Sequence, residues 1–192
     1  MFILYAIVVG LVVGLALRGR TAGLAAIQLR WPAMIVAGLL IQVVLFTDAV
    51  AAVVGDLGPI LYVASTALVL AAVVRNGRIP GMVVVIAGAA CNLSAIVANG
   101  GYMPAGRDAL AALGKQMPAG YSNSTVVPDA ALWPLTDIFA LPAWLPWANI
   151  FSVGDILIGV GIALTIVLAM RRPPATLAGE ATPPALGGAS VH

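Results

Sequence analysis

Two aspartates in the second half of the sequence have the residue type and surroundings that acid–base chemistry requires. Asp137 lies in an apolar stretch beside Ile138 and Phe139, and Asp155 stands at the start of the last apolar segment. A carboxylate among apolar side chains loses solvation, which raises its pKa. Two carboxylates that converge can share a proton and activate water. One interpretation of this pattern is an aspartyl hydrolase in which Asp137 and Asp155 act as acid and base.

Both aspartates also have a structural interpretation, and the sequence leaves the two interpretations open. Asp155 falls where a helix begins, a position that anions favour, and Asp137 can form an ion pair with Arg107 or Lys115. A histidine-based metal site is not expected, because the one histidine, His192, is the last residue. We also find no cofactor motif.

The composition indicates what kind of scaffold positions these residues. Of the 192 residues, 62% are hydrophobic and only 8% are charged, whereas a soluble domain carries about 25% charged residues. So few charges cannot cover a water-facing surface, and we therefore expect an integral membrane protein. The net charge of +2 is small and localised, so we expect no nucleic-acid partner.

The chain contains apolar segments separated by short connections and one long loop, and these segments predict an all-α polytopic membrane protein. A helix that crosses a bilayer needs about 20 residues, with about 17 as the lower limit. The candidate segments are residues 2–17, 32–50, 58–75, 80–98 and 153–171. Residues 1–172 are thus predicted to form one membrane domain with five transmembrane helices. Residues 173–192, rich in proline, alanine and glycine, are predicted to be a disordered cytoplasmic tail.

Basic residues follow alternate segments and predict an orientation. Of the nine Lys and Arg residues, all except Arg107 and Lys115 follow the first, third or last segment. These basic residues are Arg18, Arg20, Arg30, Arg75, Arg78, Arg171 and Arg172. Because basic loops stay in the cytoplasm, we expect the N-terminus outside, the C-terminus inside and the long loop 99–152 outside.

Uncharged polar residues gather on the predicted outer side. Gln42 lies in the second segment, Asn92 in the fourth, and Asn99 at the end of the fourth. Gly88, Asn92, Ala95 and Asn99 share one helical face by their spacing. One interpretation is a polar recess that opens to the outside and binds a ligand. The other is hydrogen bonding between helices, worth about 0.6 kcal/mol per contact.

Small residues recur at a spacing of four in two segments. Gly10 and Gly14 do so in the first segment, and Gly159 and Ala163 do so in the last. Such patterns let helix backbones approach closely. We therefore predict close packing of these helices within the protein.

Loop 99–152 is much longer than a connection requires, and such loops are usually functional or disordered. Its last part, 132–151, is too apolar to lie free in water, and its prolines prevent one continuous helix. We expect this part to lie in the outer interface or to fold back over the helices. Loop residues predicted to bind are Gly100, Gly101, Met103, Pro104, Trp144 and Trp147.

Three stretches resemble a family of uncharacterised bacterial membrane proteins, DUF5317. They are 99–104 (NGGYMP), 134–137 (PLTD) and 152–158 (SVGDILI). The resemblance extends over about residues 1–172 and supplies no activity. It implies a multi-pass protein of the bacterial inner membrane.

Residues 151–155 (FSVGD) are also similar to the last motif of lipoprotein signal peptidases, in which Phe-Asn-x-Ala-Asp opens a final helix. This similarity implies that Asp155 is a catalytic carboxylate. Ser152 and Gly154 stand where that family has Asn and Ala. The stretch that carries the second aspartate of those enzymes, Gly-Asn-x-x-Asp-Arg, is missing here.

From these observations we expect a non-enzymatic accessory or assembly protein of the membrane. Its outer face would bind a membrane protein partner or a lipidic molecule. The predicted binding residues are Gln42, Asn92, Asn99, Gly100, Gly101, Met103, Pro104, Trp144 and Trp147. The alternatives are the aspartyl hydrolase with Asp137 and Asp155, and a protein that binds a quinone or an isoprenoid lipid.

Overall fold

The computed structural model describes residues 2–114, 124, 125, 127 and 129–172. The predicted tail 173–192 and Lys115 lie outside the described residues. The helices are α1 (Phe2–Ala16), α2 (Pro32–Leu45), α3 (Asp48–Ala51), α4 (Leu57–Val74), α5 (Met82–Ala98), α6 (Arg107–Ala112) and α7 (Val153–Met170). Thr21–Ala26 and Trp133–Leu135 are 3₁₀ helices. The strands are β1 (Met103–Pro104), β2 (Ser124–Thr125), β3 (Phe139–Ala140) and β4 (Ile150–Phe151).

The predicted apolar segments form α1, α2, α4, α5 and α7, so the mostly helical fold is confirmed. By length and composition, α4 and α7 can each cross a membrane, with 18 residues each and mean hydropathies of 2.2 and 2.3. The other three are shorter apolar helices. Only 28% of the residues in each of α4 and α7 are buried inside the protein, so most of the apolar side chains of these two helices face outwards.

The second segment ends earlier than predicted, because the chain leaves the helical conformation at Thr47. α2 ends at Leu45, and Thr47 has an extended backbone with φ −74° and ψ 144°. The Thr47 hydroxyl donates to the Val44 carbonyl at 2.7 Å, a local bond that competes with helix continuation. Asp48 then begins the short helix α3, where a carboxylate favours the helix N-terminus.

The five long helices lie side by side in the order α2, α4, α5, α7, α1. The pattern of small residues in α1 allows its close contact with α7. A Cβ atom on Gly10 would lie 2.9 Å from the Ala163 Cα atom, and one on Gly159 would lie 3.2 Å from the Ala6 Cβ atom. The predicted close packing of these helices is therefore confirmed.

The helix assembly has two ends, and contacts at the ends of α7 identify each of them. At the loop end, Phe2 of α1 stacks on Phe151 before α7, with ring centroids 4.6 Å apart. At the arginine end, the Arg20 N–H donates to the Met170 carbonyl of α7 at 2.7 Å. The arginine end carries every described basic residue except Arg107 of α6. The charge asymmetry of the sequence thus corresponds to one end of the helices.

The described residues between α5 and α7 (99–114, 124, 125, 127 and 129–152) form a folded segment, which we call the cap. In it, β1 pairs in parallel with β2, and β3 pairs antiparallel with β4. The Phe139 ring stacks against Phe151, with centroids 5.5 Å apart. As predicted, the apolar stretch 132–151 forms no continuous helix.

Candidate functional site

Three polar side chains join α5 to the start of α7. The Asn92 amide donates to Asp155 Oδ1 at 2.9 Å, and the Ser152 hydroxyl donates to Asn92 Oδ1 at 2.8 Å. The Asp155 N–H donates to Ser152 Oγ at 3.0 Å, and the Ser152 N–H donates to Asp155 Oδ2 at 3.2 Å. The last two bonds form a reciprocal capping box. The structural interpretation of Asp155, and interhelical bonding by Asn92, are both confirmed.

Glycines bring the two helices close enough for this network. A Cβ atom on Gly88 would lie 2.4 Å from the Gly154 carbonyl oxygen, and one on Gly154 would lie 1.9 Å from Asn92 Oδ1. Ser152 is completely buried. Sequence reasoning missed Ser152, although a serine three residues before an acidic residue at a helix start indicates a capping box.

Asp137 lies in the cap and is held by β1 and its neighbours. Its N–H donates to the Pro104 carbonyl at 2.9 Å, and its own carbonyl accepts from the Gly106 N–H at 2.9 Å. Asp137 is buried, which agrees with its predicted apolar surroundings. The two aspartates are therefore positioned by different elements, and the two Asp155 oxygens accept from Asn92 of α5 and from the Ser152 N–H at the start of α7. A shared acid–base role for them stays a prediction.

Asn99 connects the end of α5 to the cap. Its amide donates to the Ala131 carbonyl at 2.9 Å, and the Ala131 N–H donates to Asn99 Oδ1 at 2.9 Å. The same amide donates to the Ala95 carbonyl at 2.7 Å. Asn99 therefore fixes the cap against the helix that precedes it.

The glycine pair after Asn99 makes the turn that starts the cap. Gly100 and Gly101 have φ values of +69° and +88°, which glycine adopts without a Cβ clash. A Cβ atom on Gly101 would lie 2.4 Å from the Pro59 Cβ atom. Gly101 thus lets the chain pass directly over the start of α4.

Met103 and Pro104 of β1 lie on the inner side of the cap. Met103 packs in a buried cluster that also contains Leu45, Tyr62 and Ile96, and Pro104 is fully buried. Their side chains do not face the surroundings. Any contribution of these two residues to binding therefore acts through the position of the cap.

The tryptophans of the cap face outwards. Trp144 is 81% exposed, Trp147 is 70% exposed and Trp133 is 58% exposed. Trp147 has a left-handed backbone with φ +54°. The neighbouring Pro146 carbonyl accepts a hydrogen bond from the Tyr5 hydroxyl of α1, which ties this turn to the helices.

Gln42 belongs to a different helix contact from Asn92. The Gln42 amide donates to Thr66 Oγ1 at 3.3 Å and so joins α2 to α4, whereas Asn92 joins α5 to α7. The predicted polar residues therefore lie in separate helix contacts. These contacts do not form a single polar recess that contains both Gln42 and Asn92.

Among the described residues, two of the cavities lie at the loop end. One, of about 400 Å³, is bordered by Pro104, Arg107, Trp133 and Thr136 of the cap. The other, of about 380 Å³, is an apolar groove between α4 and the end of α5. Its border includes Val63, Val97, Gly100 and Gly101. Arg107, Trp133 and Thr136 were not predicted as site residues, because their convergence depends on the fold of the cap.

These features define a class of protein: an assembly of apolar helices with a folded cap at one end and arginines at the other. Residues 26–167 match DUF5317, a family of unknown function. The chain belongs to this family, which confirms the resemblance. No curated protein and no solved structure matches the chain. The similarity of residues 151–155 to lipoprotein signal peptidases is not shown by these comparisons and stays a prediction from the motif.

Proposed function

We propose that this chain is a multi-pass protein of the bacterial inner membrane with an accessory or assembly role. Its five long helices cross the bilayer, with the loop end outside and the arginine end in the cytoplasm. The cap binds a membrane protein partner through its outward-facing tryptophans.

The outward-facing apolar surface supports membrane insertion. Burying apolar surface is worth about 25 cal/mol per Å², so side chains such as Val43 and Ile60, which are 64% and 63% exposed, would be costly in water. Val43 lies on α2 and Ile60 on α4, and both helices consist largely of apolar residues. The shorter helices α1, α2 and α5 fit a bilayer that thins locally, with arginines reaching the interface.

The exposure of Trp144 and Trp147 on a folded cap is the observation that carries the proposed binding role. Tryptophan is enriched among the residues that contribute most of the binding energy at protein interfaces. It is also enriched at the edges of bilayers. A left-handed backbone costs an L-residue about 1–2 kcal/mol. Because such strain clusters at functional sites, the conformation of Trp147 supports a role for its ring.

Site-specific photocrosslinking in native membranes tests the binding role. A photoreactive amino acid replaces Trp144 or Trp147, and we expect a discrete protein adduct from each position. The matched control is Trp31, which lies at the arginine end and is 50% exposed; we expect it not to give this adduct. Adducts with lipid alone at the cap would contradict a protein partner and would favour the quinone or isoprenoid alternative.

A further inference from the structure

A cavity of about 830 Å³ opens at the arginine end, and we call it the arginine cleft. It lies between α4, α5 and the segment that leads into α2. Its polar border consists of Arg30, Arg75 and Arg78. The rest of the border is largely apolar and includes Trp31, Leu70, Val74 and Leu93.

The three arginines lack an acidic partner among the residues that the structure describes. All three are exposed, yet they border one cavity. Like charges that gather in this way repel one another and favour a bound anion. Guanidinium groups match phosphate well, because their planar N–H donors can bond two phosphate oxygens at once.

Asn76 builds this arrangement. It is 3% exposed, and its amide donates to the carbonyls of Arg30 at 2.8 Å and Ala72 at 2.7 Å. The Arg30 N–H donates back to Asn76 Oδ1 at 2.7 Å. These bonds attach the segment before α2 to the end of α4, so Arg30 borders the same cavity as Arg75 and Arg78.

Trp31 adds a second constraint. The Arg75 guanidinium carbon lies 5.7 Å from the centroid of the Trp31 ring, within the range of a cation–π contact. Trp31 holds this position with a left-handed backbone, φ +57°. The arginine cleft is therefore a pre-arranged basic site rather than a set of independent surface charges.

The apolar wall indicates what kind of anion fits. It extends along α4 from Ala67 to Val74, about 10 Å at the rise of an α-helix. A free phosphate ion would leave this wall and most of the volume unused. An acyl chain would cover the wall while its headgroup phosphate meets the arginines.

We infer that the arginine cleft binds an anionic phospholipid. The phosphate contacts Arg30, Arg75 and Arg78, and one acyl chain lies against α4 and Leu93. This inference rests on the proposed membrane orientation, in which the arginine end meets the anionic lipids of the cytoplasmic leaflet.

Native mass spectrometry of the full chain in mild detergent tests the inference. Phosphatidylglycerol and phosphatidylcholine of the same acyl length are added in equal amounts. We expect preferential retention of phosphatidylglycerol. In the double variant Arg75→Gln, Arg78→Gln the preference should fall about 25-fold, since each exposed arginine–phosphate ion pair that is lost contributes up to about fivefold.

Two further variants distinguish lipid binding in the arginine cleft from a general effect of positive charge. The double variant Arg18→Gln, Arg20→Gln removes the same charge from the same end, and neither residue borders the arginine cleft; we expect the preference to stay within about threefold of the original, because no phosphate contact is lost. Leu93→Trp fills the apolar wall and leaves every charge, and it should also reduce lipid retention. Circular dichroism of each variant verifies that its helices form.

Three results would overturn the inference. They are equal retention of both lipids, an equal loss in the two double variants, and displacement of phosphatidylglycerol by excess inorganic phosphate or glycerol 3-phosphate. The last result would assign the site to a free phosphate. A chain that alkaline carbonate releases from membranes would instead contradict the proposed function. A firmly inserted chain without lipid preference would contradict this inference alone.

Discussion

At the scale of single residues, polar side chains at helix ends determine how distant parts of the chain meet. Asn76 holds the backbone of Arg30 at the arginine end, and Asn99 holds the backbone of Ala131 at the loop end. Each asparagine also donates to the carbonyl four residues earlier, in the helix that precedes it. The same device, an amide that pairs with both polar groups of one backbone residue, therefore works at both ends.

Ser152→Ala is expected to lower the free energy of unfolding by about 1–3 kcal/mol, because it removes the α7 cap and leaves Asn92 Oδ1 without its donor. Thermal unfolding in detergent measures the change. Ser94→Ala is the matched control, since among the described residues the Ser94 hydroxyl bonds only the Ala90 carbonyl of its own helix. Equal midpoints for the two variants would show that the Ser152 hydroxyl does not stabilise α7.

At the scale of elements, α7 is central, because it packs against α1 on one side and α5 on the other. Glycines make both contacts close: Gly10 meets α7 from α1, and Gly154 of α7 meets Asn92 of α5. The cap then covers the loop end through the bond between Asn99 and Ala131. Helix contact and cap attachment can be tested separately.

Gly154→Ala should destabilise the protein, although alanine usually favours a helix over glycine. The new methyl group would lie 1.9 Å from Asn92 Oδ1 and 2.7 Å from the Gly88 carbonyl oxygen, and such overpacking costs about 1–3 kcal/mol. Gly106→Ala is the control, since its nearest contact would be an ordinary 3.4 Å. A rise in the unfolding midpoint of Gly154→Ala would contradict the close contact of α5 and α7.

Asn99→Ala should loosen the attachment of the cap without unfolding it. The Ala131 N–H donates to Asn99 Oδ1, so its hydrogen exchange should become faster in the variant. The Asp137 N–H donates to the Pro104 carbonyl and should keep its protection, which provides an internal control. Unchanged exchange at Ala131 would mean that Asn99 does not hold the cap.

At the scale of the whole molecule, two chemically different ends are joined by helices with apolar outer surfaces. The cap and its tryptophans occupy one end, and the described arginines other than Arg107 occupy the other. Asymmetry of this kind orients a membrane protein, because basic segments remain in the cytoplasm. The proposed orientation therefore makes a direct prediction about access from each side.

Cysteine labelling tests the orientation. In a Cys91→Ala background, Val53→Cys, at a loop-end position that is 80% exposed, should react with a membrane-impermeant maleimide on intact cells. Leu29→Cys, at the arginine end and 44% exposed in the unsubstituted chain, should react only after permeabilisation. The reverse pattern would show that the arginine end faces outwards.

The apolar segments, the charge asymmetry and the small-residue pattern of α1 were predictable, because each depends on residue type and local spacing. The helix start at Ser152 was predictable in the same way. The break at Thr47 was missed, because apolar residues continue on both sides of Thr47 and Asp48 and hide the local hydroxyl bond from the hydropathy pattern. The site was less predictable: Gln42 and Asn92 both appear as polar residues in apolar segments, yet they serve different helix contacts.

By itself, the sequence determined which segments form apolar helices, that its basic residues alternate between gaps, and that the chain resembles DUF5317. Each of these depends on composition or on neighbouring residues. Only the tertiary structure decided that Asn76 holds Arg30, that Met103 is buried on the inner side of the cap while Trp147 is exposed, and that three arginines border one cavity. These relations depend on the order and rotation of the helices, which bring together residues far apart in the chain.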